Sequence, residues 1–306
     1  MAAHPIILYV PGLLPKPEPA AHRDALLRCL SAGLRRVDES VAEVVASTTG
    51  GFDIVSWTFD FYREHRDIGI DRASIADVIS KPGVSERDVA EARSWGRRLT
   101  LWIYRLGDRL PFLIPHIASE RTEMHLRDLR RYTQDDNGIA EHTRRMLKVP
   151  LRAATEGHHP VLLIGHSMGS VIAYDTLWEM SHNRRDHAAV DLLLTMGSPL
   201  GQHYIQKRLK GGTVRGASRY PHNIRKWKNL SAVGDLTAID PGLRNDFGEM
   251  LELGLVERFE DVEIHNYFRL DGVLNVHSEY GYLVNETTAR TVAAWWRGHD
   301  STLSDG

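Results

Sequence analysis

The sequence predicts an α/β fold: a mostly parallel sheet of about six strands with helices on both faces, in a single domain spanning 1–306 and carrying a helical insertion at 60–135. Three observations predict it. Six short apolar, often β-branched runs read as buried strands: Ile6 to Val10, Phe52 to Thr58, Val161 to Gly165, Val190 to Met196, Trp227 to Val233 and Val262 to Phe268. Between most of them lie patterns with apolar residues at helical spacing. Strands alternating with helices imply parallel pairing, with the helices as crossovers on both faces.

Taken in order, the first strand ends at Pro11-Gly12, and a helix follows from Ala21 to Val37 with Leu26, Leu27, Leu30 and Leu34 on one face. Cys29 lies in that helix as a small core residue; as the lone cysteine it forms no internal disulfide, which is compatible with a reducing compartment. The interval from Phe59 to Pro160 is too long for one crossover and is mostly helix-like and charged, apart from "LTLWIYRLGDRLPFLIPHIA". Its last portion reads as helical with a turn at Asp135 to Gly138, and Pro150 is expected to mark a kink or break. The third strand leads into a helix from Ser170 to Ser181, with Val171, Tyr174, Leu177 and Trp178. The last helix runs from about Asn285, as its cap, to Trp296.

Charged residues make up 25% and hydrophobic ones 42% of the 306, with a formal net charge of -2. Both fractions are near globular averages, and nothing in the balance points to nucleic acid. A basic stretch (Lys207, Arg208, Lys210, Arg215, Arg219, Arg225, Lys226, Lys228) reads more simply as a solvated loop than as an anion attractor. The apolar run near the amino terminus lacks a basic leader, and no stretch approaches the roughly 20 apolar residues of a membrane span. A soluble, cytoplasmic protein is expected. His158 and His159 are adjacent, and "HNY" and "HSEY" lack spaced ligands, so neither a metal nor a cofactor is expected.

The stretch "VLLIGHSMGSVIAYD" passes from an apolar strand through small residues into a helical pattern. Gly165, His166, Ser167, Met168 and Gly169 spell G-x-S-x-G, the pattern of a sharp strand-to-helix turn that exposes a nucleophilic serine. Gly165 and Gly169 supply the room that such a strained turn needs. Next to the helix amino terminus, the N–H of Met168 is placed to receive the oxyanion formed when a carbonyl is attacked. A second donor is needed, and the N–H of Leu13, after the tight turn at Gly12, is the candidate; the alternative is that Pro11 and Gly12 only end the strand.

Together with "LLLTMGSPLG", "ILYVPGL" and a late Asp and His, these residues resemble the α/β-hydrolase superfamily, and specifically its serine esterase and lipase-like branch. The resemblance covers the core of the chain and leaves the insertion without a counterpart. It implies a strand order of 2-1-3-4-5-6, a ligand crevice between strands one and three, and a triad in the chain order Ser, acid, His. Two features depart from it. Pro11-Gly12 stands where family members usually have His-Gly, and, with the first apolar run already at Ile6, the two leading antiparallel strands are not expected. His277, after the last strand, suits the base better than His265 inside "VEIHNYF", while His166 is expected to point away from the serine and to pack. Asp235, just past the fifth strand, is preferred as the acid, with Asp240 as runner-up; helix or turn capping is the bland role for either.

The resemblance implies hydrolysis of a carboxylic ester or thioester through an acyl-enzyme on Ser167. An acyltransferase with the same residues, and a non-catalytic binding protein, are the alternatives. The apolar patch from Leu99 to Ile117, with Trp102, Ile103, Tyr104, Phe112 and Leu113, is a cap able to receive an acyl chain, an internal packing surface or a homodimer contact.

Overall fold

The computed structural model describes residues 4–109 and 120–300. Its centre is a sheet of β1 (Ile6–Val10), β2 (Phe52–Ile54), β3 (Val161–His166), β4 (Val190–Met196), β5 (Ile224–Ala232) and β6 (Arg258–Ile264). The order across it is β2-β1-β3-β4-β5-β6, with every neighbouring pair parallel.

Alternate side chains of these strands serve two apolar layers. Ile7, Tyr9, Leu162, Ile164 and Leu194 meet Leu26 and Leu30 of the Pro19–Val37 helix and Val292 and Trp296 of the Glu286–Arg297 helix. Leu8, Val10, Leu163, Leu193 and Trp227 meet Leu147 and Leu151 of the Ile139–Glu156 helix and Val171 and Ile172 of the Met168–Ser181 helix. Burying one such side chain is worth about 1.5–3 kcal/mol, enough to offset the roughly 1–2 kcal/mol of backbone entropy lost per fixed residue. The helix that follows β1 covers one face and the helix that follows β3 covers the other. Their connections diverge between β1 and β3, which makes the carboxyl ends of those strands the switch point where open α/β sheets bind ligands.

Several boundaries differ from the sequence expectation, each for a local reason. β2 stops at Ile54 because Trp57 takes a helical backbone and Thr58–Tyr62 forms a short helix, with the Trp57 indole donating to the Pro11 carbonyl at 2.9 Å. β6 starts at Arg258 and ends at Ile264, so His265 lies just outside it. Its charged start is permitted because β6 is an edge strand. β5 starts at Ile224, where buried and charged positions are interleaved. Pro150 does not end its helix, which runs from Ile139 to Glu156; Leu147, Leu151 and Ala154 stay buried on either side of it and offset the missing amide donor. The turn before that helix is where it was expected, with Asp135, Asn137 and Gly138 in left-handed conformations. Asn285 caps the last helix by accepting from the Thr287 N–H at 2.9 Å. A hairpin of β7 (Arg269–Leu270) and β8 (Val273–Leu274) escaped the sequence reading, although its turn, Asp271-Gly272 with both residues at positive φ, is the pair that two-residue hairpins favour.

Within the inserted region lie helices Gly69–Ser80, Glu86–Ala92, Trp95–Arg109 and Glu120–Thr133. From Trp95–Arg109, Arg97 donates to the Leu274 carbonyl and Arg105 to the Ile239 carbonyl, both at 2.8 Å. This helix therefore touches the β7–β8 hairpin and the loop after β5. Leu99 and Trp102 are exposed on it, and Phe112, Leu113 and Ile117 lie outside the described residues. Cys29 is buried, and burial pushes its thiol up to about 12. In the basic stretch, Lys210 pairs with Glu179, Arg225 with Glu257 and Lys228 with Glu260, which lowers its pull on an anion. Among the described residues, no helix is long and apolar enough to cross a membrane.

Candidate active site

Ser167 stands between β3 and the helix that begins at Met168, with φ 53° and ψ -125°. Positive φ is costly for a residue with a side chain and persists only where its surroundings enforce it. Here they do. The Ser167 N–H donates to the Met196 carbonyl at 2.9 Å, fastening the turn to the end of β4. The Ser170 hydroxyl donates to the Ser167 carbonyl at 2.6 Å.

Three glycines make the packing possible. A Cβ on Gly165 would lie 2.7 Å from the Ser170 Cα, one on Gly12 2.8 Å from the Ser167 Cβ, and one on Gly169 2.0 Å from the Val10 carbonyl oxygen. The last clash sets the added methyl against backbone, with no flexible side chain to yield. Gly169→Ala is therefore expected to cost about 3 kcal/mol or more, at the upper end for overpacking. A urea titration measures it, and a loss below about 1 kcal/mol would show that β1 and the serine turn are not in this contact.

The serine hydroxyl meets His277. Its Oγ is 3.0 Å from His277 Nε2, and His277 Nδ1 is 2.8 Å from Asp235 Oδ2. Facing a carboxylate, Nδ1 carries the proton, which leaves Nε2 free to accept from the hydroxyl. Asp235 is buried, and burial alone would raise its pKa. The charge and hydrogen bond of His277, with hydrogen bonds from the Thr237 N–H and the Tyr282 hydroxyl, hold it below the usual carboxylate range instead. Asp240 does not join this group; its Oδ1 accepts from the Gly242 N–H in a turn. His265 is likewise elsewhere, with its carbonyl accepting from Asn285.

His166 does more than pack. Its Nε2 is 2.9 Å from the His277 carbonyl oxygen, to which it must donate, and its ring lies 4.8 Å from the His277 ring. Burial, with the neighbouring His277, pushes its pKa down to about 3, so it is neutral.

Other supporting residues escaped the sequence reading. Tyr282 donates to Asp235 Oδ2 and accepts from the Ala232 N–H, each at 2.8 Å, which ties the acid to the end of β5. Gly197, at φ 55°, leaves room where a Cβ would come 2.8 Å from Asp235 Oδ2 and 3.0 Å from His277 Nδ1. Its signal was available in "TMGSP", a glycine directly after a strand. Tyr282 gave a weaker one, as one of two tyrosines in the short stretch after His277.

The two oxyanion candidates are each next in chain to a residue of the serine turn's packing: Met168 to Ser167 and Leu13 to Gly12. Met168 is the first residue of its helix, so its N–H has no carbonyl one turn earlier in the helix to bind. Leu13 follows Gly12, which packs on Ser167. Among the described residues, no group of three or more His, Cys, Asp or Glu side chains could hold a metal ion. The arrangement suits proton transfer from a hydroxyl to a histidine backed by a carboxylate. Comparison with known proteins found no matching family model, no matching curated protein and no matching solved structure, so the chemistry is read from these atoms.

Proposed function

We propose that the chain is a serine hydrolase of the α/β-hydrolase type that cleaves a carboxylic ester or thioester. The observation that carries this reading is the continuous hydrogen-bonded chain from Ser167 Oγ through His277 to the buried Asp235, at the turn where β3 gives way to a helix. The strand order, the serine at the β3 turn and the histidine after the last strand of the six-stranded sheet support the finer fold assignment.

The geometry supports acyl transfer through a tetrahedral intermediate. Ser167 Oγ attacks the acyl carbon as its proton passes to His277 Nε2, and the carbonyl oxygen becomes an oxyanion held by the N–H groups of Met168 and Leu13. Asp235 keeps the imidazole in the needed tautomer and stabilises its cation. The tetrahedral intermediate collapses, the bond to the leaving oxygen or sulfur breaks, and His277 returns its proton to that leaving group. Water then attacks the acyl-serine, giving its proton to His277; the acid departs and Ser167 recovers its hydrogen.

Intact-mass labelling with a fluorophosphonate tests the reading. One adduct is expected on the wild type and none on Ser167→Ala, and an unlabelled wild type overturns it.

A further inference from the structure

The loop after β1 carries Leu13, and it is fastened on both sides. Pro11 accepts from Trp57 at 2.9 Å, and the Leu14 N–H donates to the Tyr62 hydroxyl at 3.0 Å while Leu14 holds a left-handed φ of 75°. The Lys16 carbonyl accepts from the Arg66 N–H at 2.9 Å, and the Lys16 side chain makes a fastening of another kind. Lys16 Nζ lies 2.9 Å from Glu279 Oε1 and reaches it from a site that is only slightly exposed.

Glu279 is buried and serves several segments at once. Its Oε1 also meets His22 Nε2 at 3.0 Å, from the first helix, and its Oε2 accepts from the Tyr9 hydroxyl of β1 at 3.0 Å. Burial opposes its charge, yet the Lys16 ammonium and the His22 ring hold its pKa well below the usual range. It sits two residues after His277, at the start of the Glu279–Val284 helix. His166 bridges the same region: its Nε2 donates to the His277 carbonyl, its Nδ1 is 4.0 Å from Glu279 Oε2, and a Cβ on Gly12 would lie 3.2 Å from that Nδ1. A buried carboxylate with charged and neutral donors converging on it is a stiff junction, because losing one donor leaves charge uncompensated away from water.

We propose that Glu279 is a positioning residue for acyl transfer: through Lys16 it locks the Leu13 loop to the turn that carries His277, so that the second oxyanion donor and the base keep one geometry. The proposal rests on the reading of Ser167 as nucleophile. An oxyanion donor acts only within about 2.7–3.1 Å of the developing charge, so a loop released by a fraction of an ångström loses transition-state stabilisation while ground-state binding is largely kept.

The test compares Lys16→Met, Glu279→Gln and the double variant with the wild type, using p-nitrophenyl acetate turnover and affinity for a trifluoromethyl ketone. The ketone reports oxyanion binding directly: Ser167 Oγ adds to its carbonyl carbon, the hydroxyl proton passes to His277, and the carbonyl oxygen becomes the anion. Lys16→Met is expected to lower kcat about 10- to 100-fold with KM nearly unchanged, and to weaken the ketone by a similar factor. The double variant should be no slower than the slower single one, because both break one link. Lys16 is near the surface, so its variant keeps the test open if Glu279→Gln fails to fold. Wild-type kcat and ketone affinity in Lys16→Met overturn the proposal, even if its melting temperature falls. If the wild type also takes no fluorophosphonate, the reading of Ser167 falls with it; a labelled wild type beside an unimpaired Lys16→Met removes the Glu279 role alone.

Discussion

Ser167→Ala and His277→Ala are each expected to lower kcat on short p-nitrophenyl esters by about 10⁴-fold or more, and the double variant to fall no further. On the proposed mechanism the two side chains act as one unit: the hydroxyl is a poor nucleophile until Nε2, 3.0 Å away, takes its proton, and Nε2 has no catalytic use without the hydroxyl. Removing either removes the unit, so the losses do not add. His166 is the nearest alternative base, adjacent to the serine in sequence, but its Nε2 is committed to the His277 carbonyl and burial holds its pKa at about 3. It would be protonated only in strong acid, so it cannot rescue His277→Ala. Steady-state kinetics decide the matter. A His277→Ala variant retaining a tenth of wild-type kcat, or losses that multiply in the double variant, would show that the hydrogen-bonded chain is not the reacting unit.

Asp235→Asn is expected to lower kcat by about 10⁴-fold in a folded protein, whereas Asp240→Asn leaves it within about threefold. The asparagine is nearly isosteric and its environment accommodates it. Its oxygen can still accept from the Thr237 N–H, while its amide nitrogen replaces the carboxylate oxygen that faces both Tyr282 and His277 Nδ1. An amide donor opposite Nδ1 forces the imidazole proton onto Nε2, where it points at Ser167 and blocks proton uptake. The fault is thus one of tautomer and charge, with little change in shape. Asp240 makes no such contact, and its turn hydrogen bond to Gly242 survives in the amide oxygen. Kinetics of the two variants, with circular dichroism to show that each is folded, separate the cases; equal losses in both would move the acid role away from Asp235.

Much of the architecture was legible because its signals are local. Buried parallel strands have to be apolar on both faces, so β1, β3 and β4 stood out as nearly continuous runs, whereas β2 and β5 were placed with shifted bounds and β6 was misplaced toward Phe268 because its solvent edge admits Arg258, Glu260 and Asp261. The serine turn was legible for the same reason: close backbone approach demands glycine at 165 and 169 whatever the rest of the fold does. Pro150 does not break its helix, because the apolar contacts that offset its local cost come from other parts of the chain.

By itself, then, the sequence determined the alternation of strands and helices, the turn at Ser167 and a short set of candidates for its partners. Only the tertiary structure decided among them, bringing Asp235 but not Asp240, and His277 but neither His265 nor His166, into the hydrogen-bonded chain. It also gathered Tyr9, Lys16 and His22 around the buried Glu279 carboxylate from positions far apart in the chain. The physical reason is the range of the forces that select each feature. Periodicity and steric room act between near neighbours, whereas a hydrogen bond at 2.8 Å between two loops depends on where the whole sheet holds their ends.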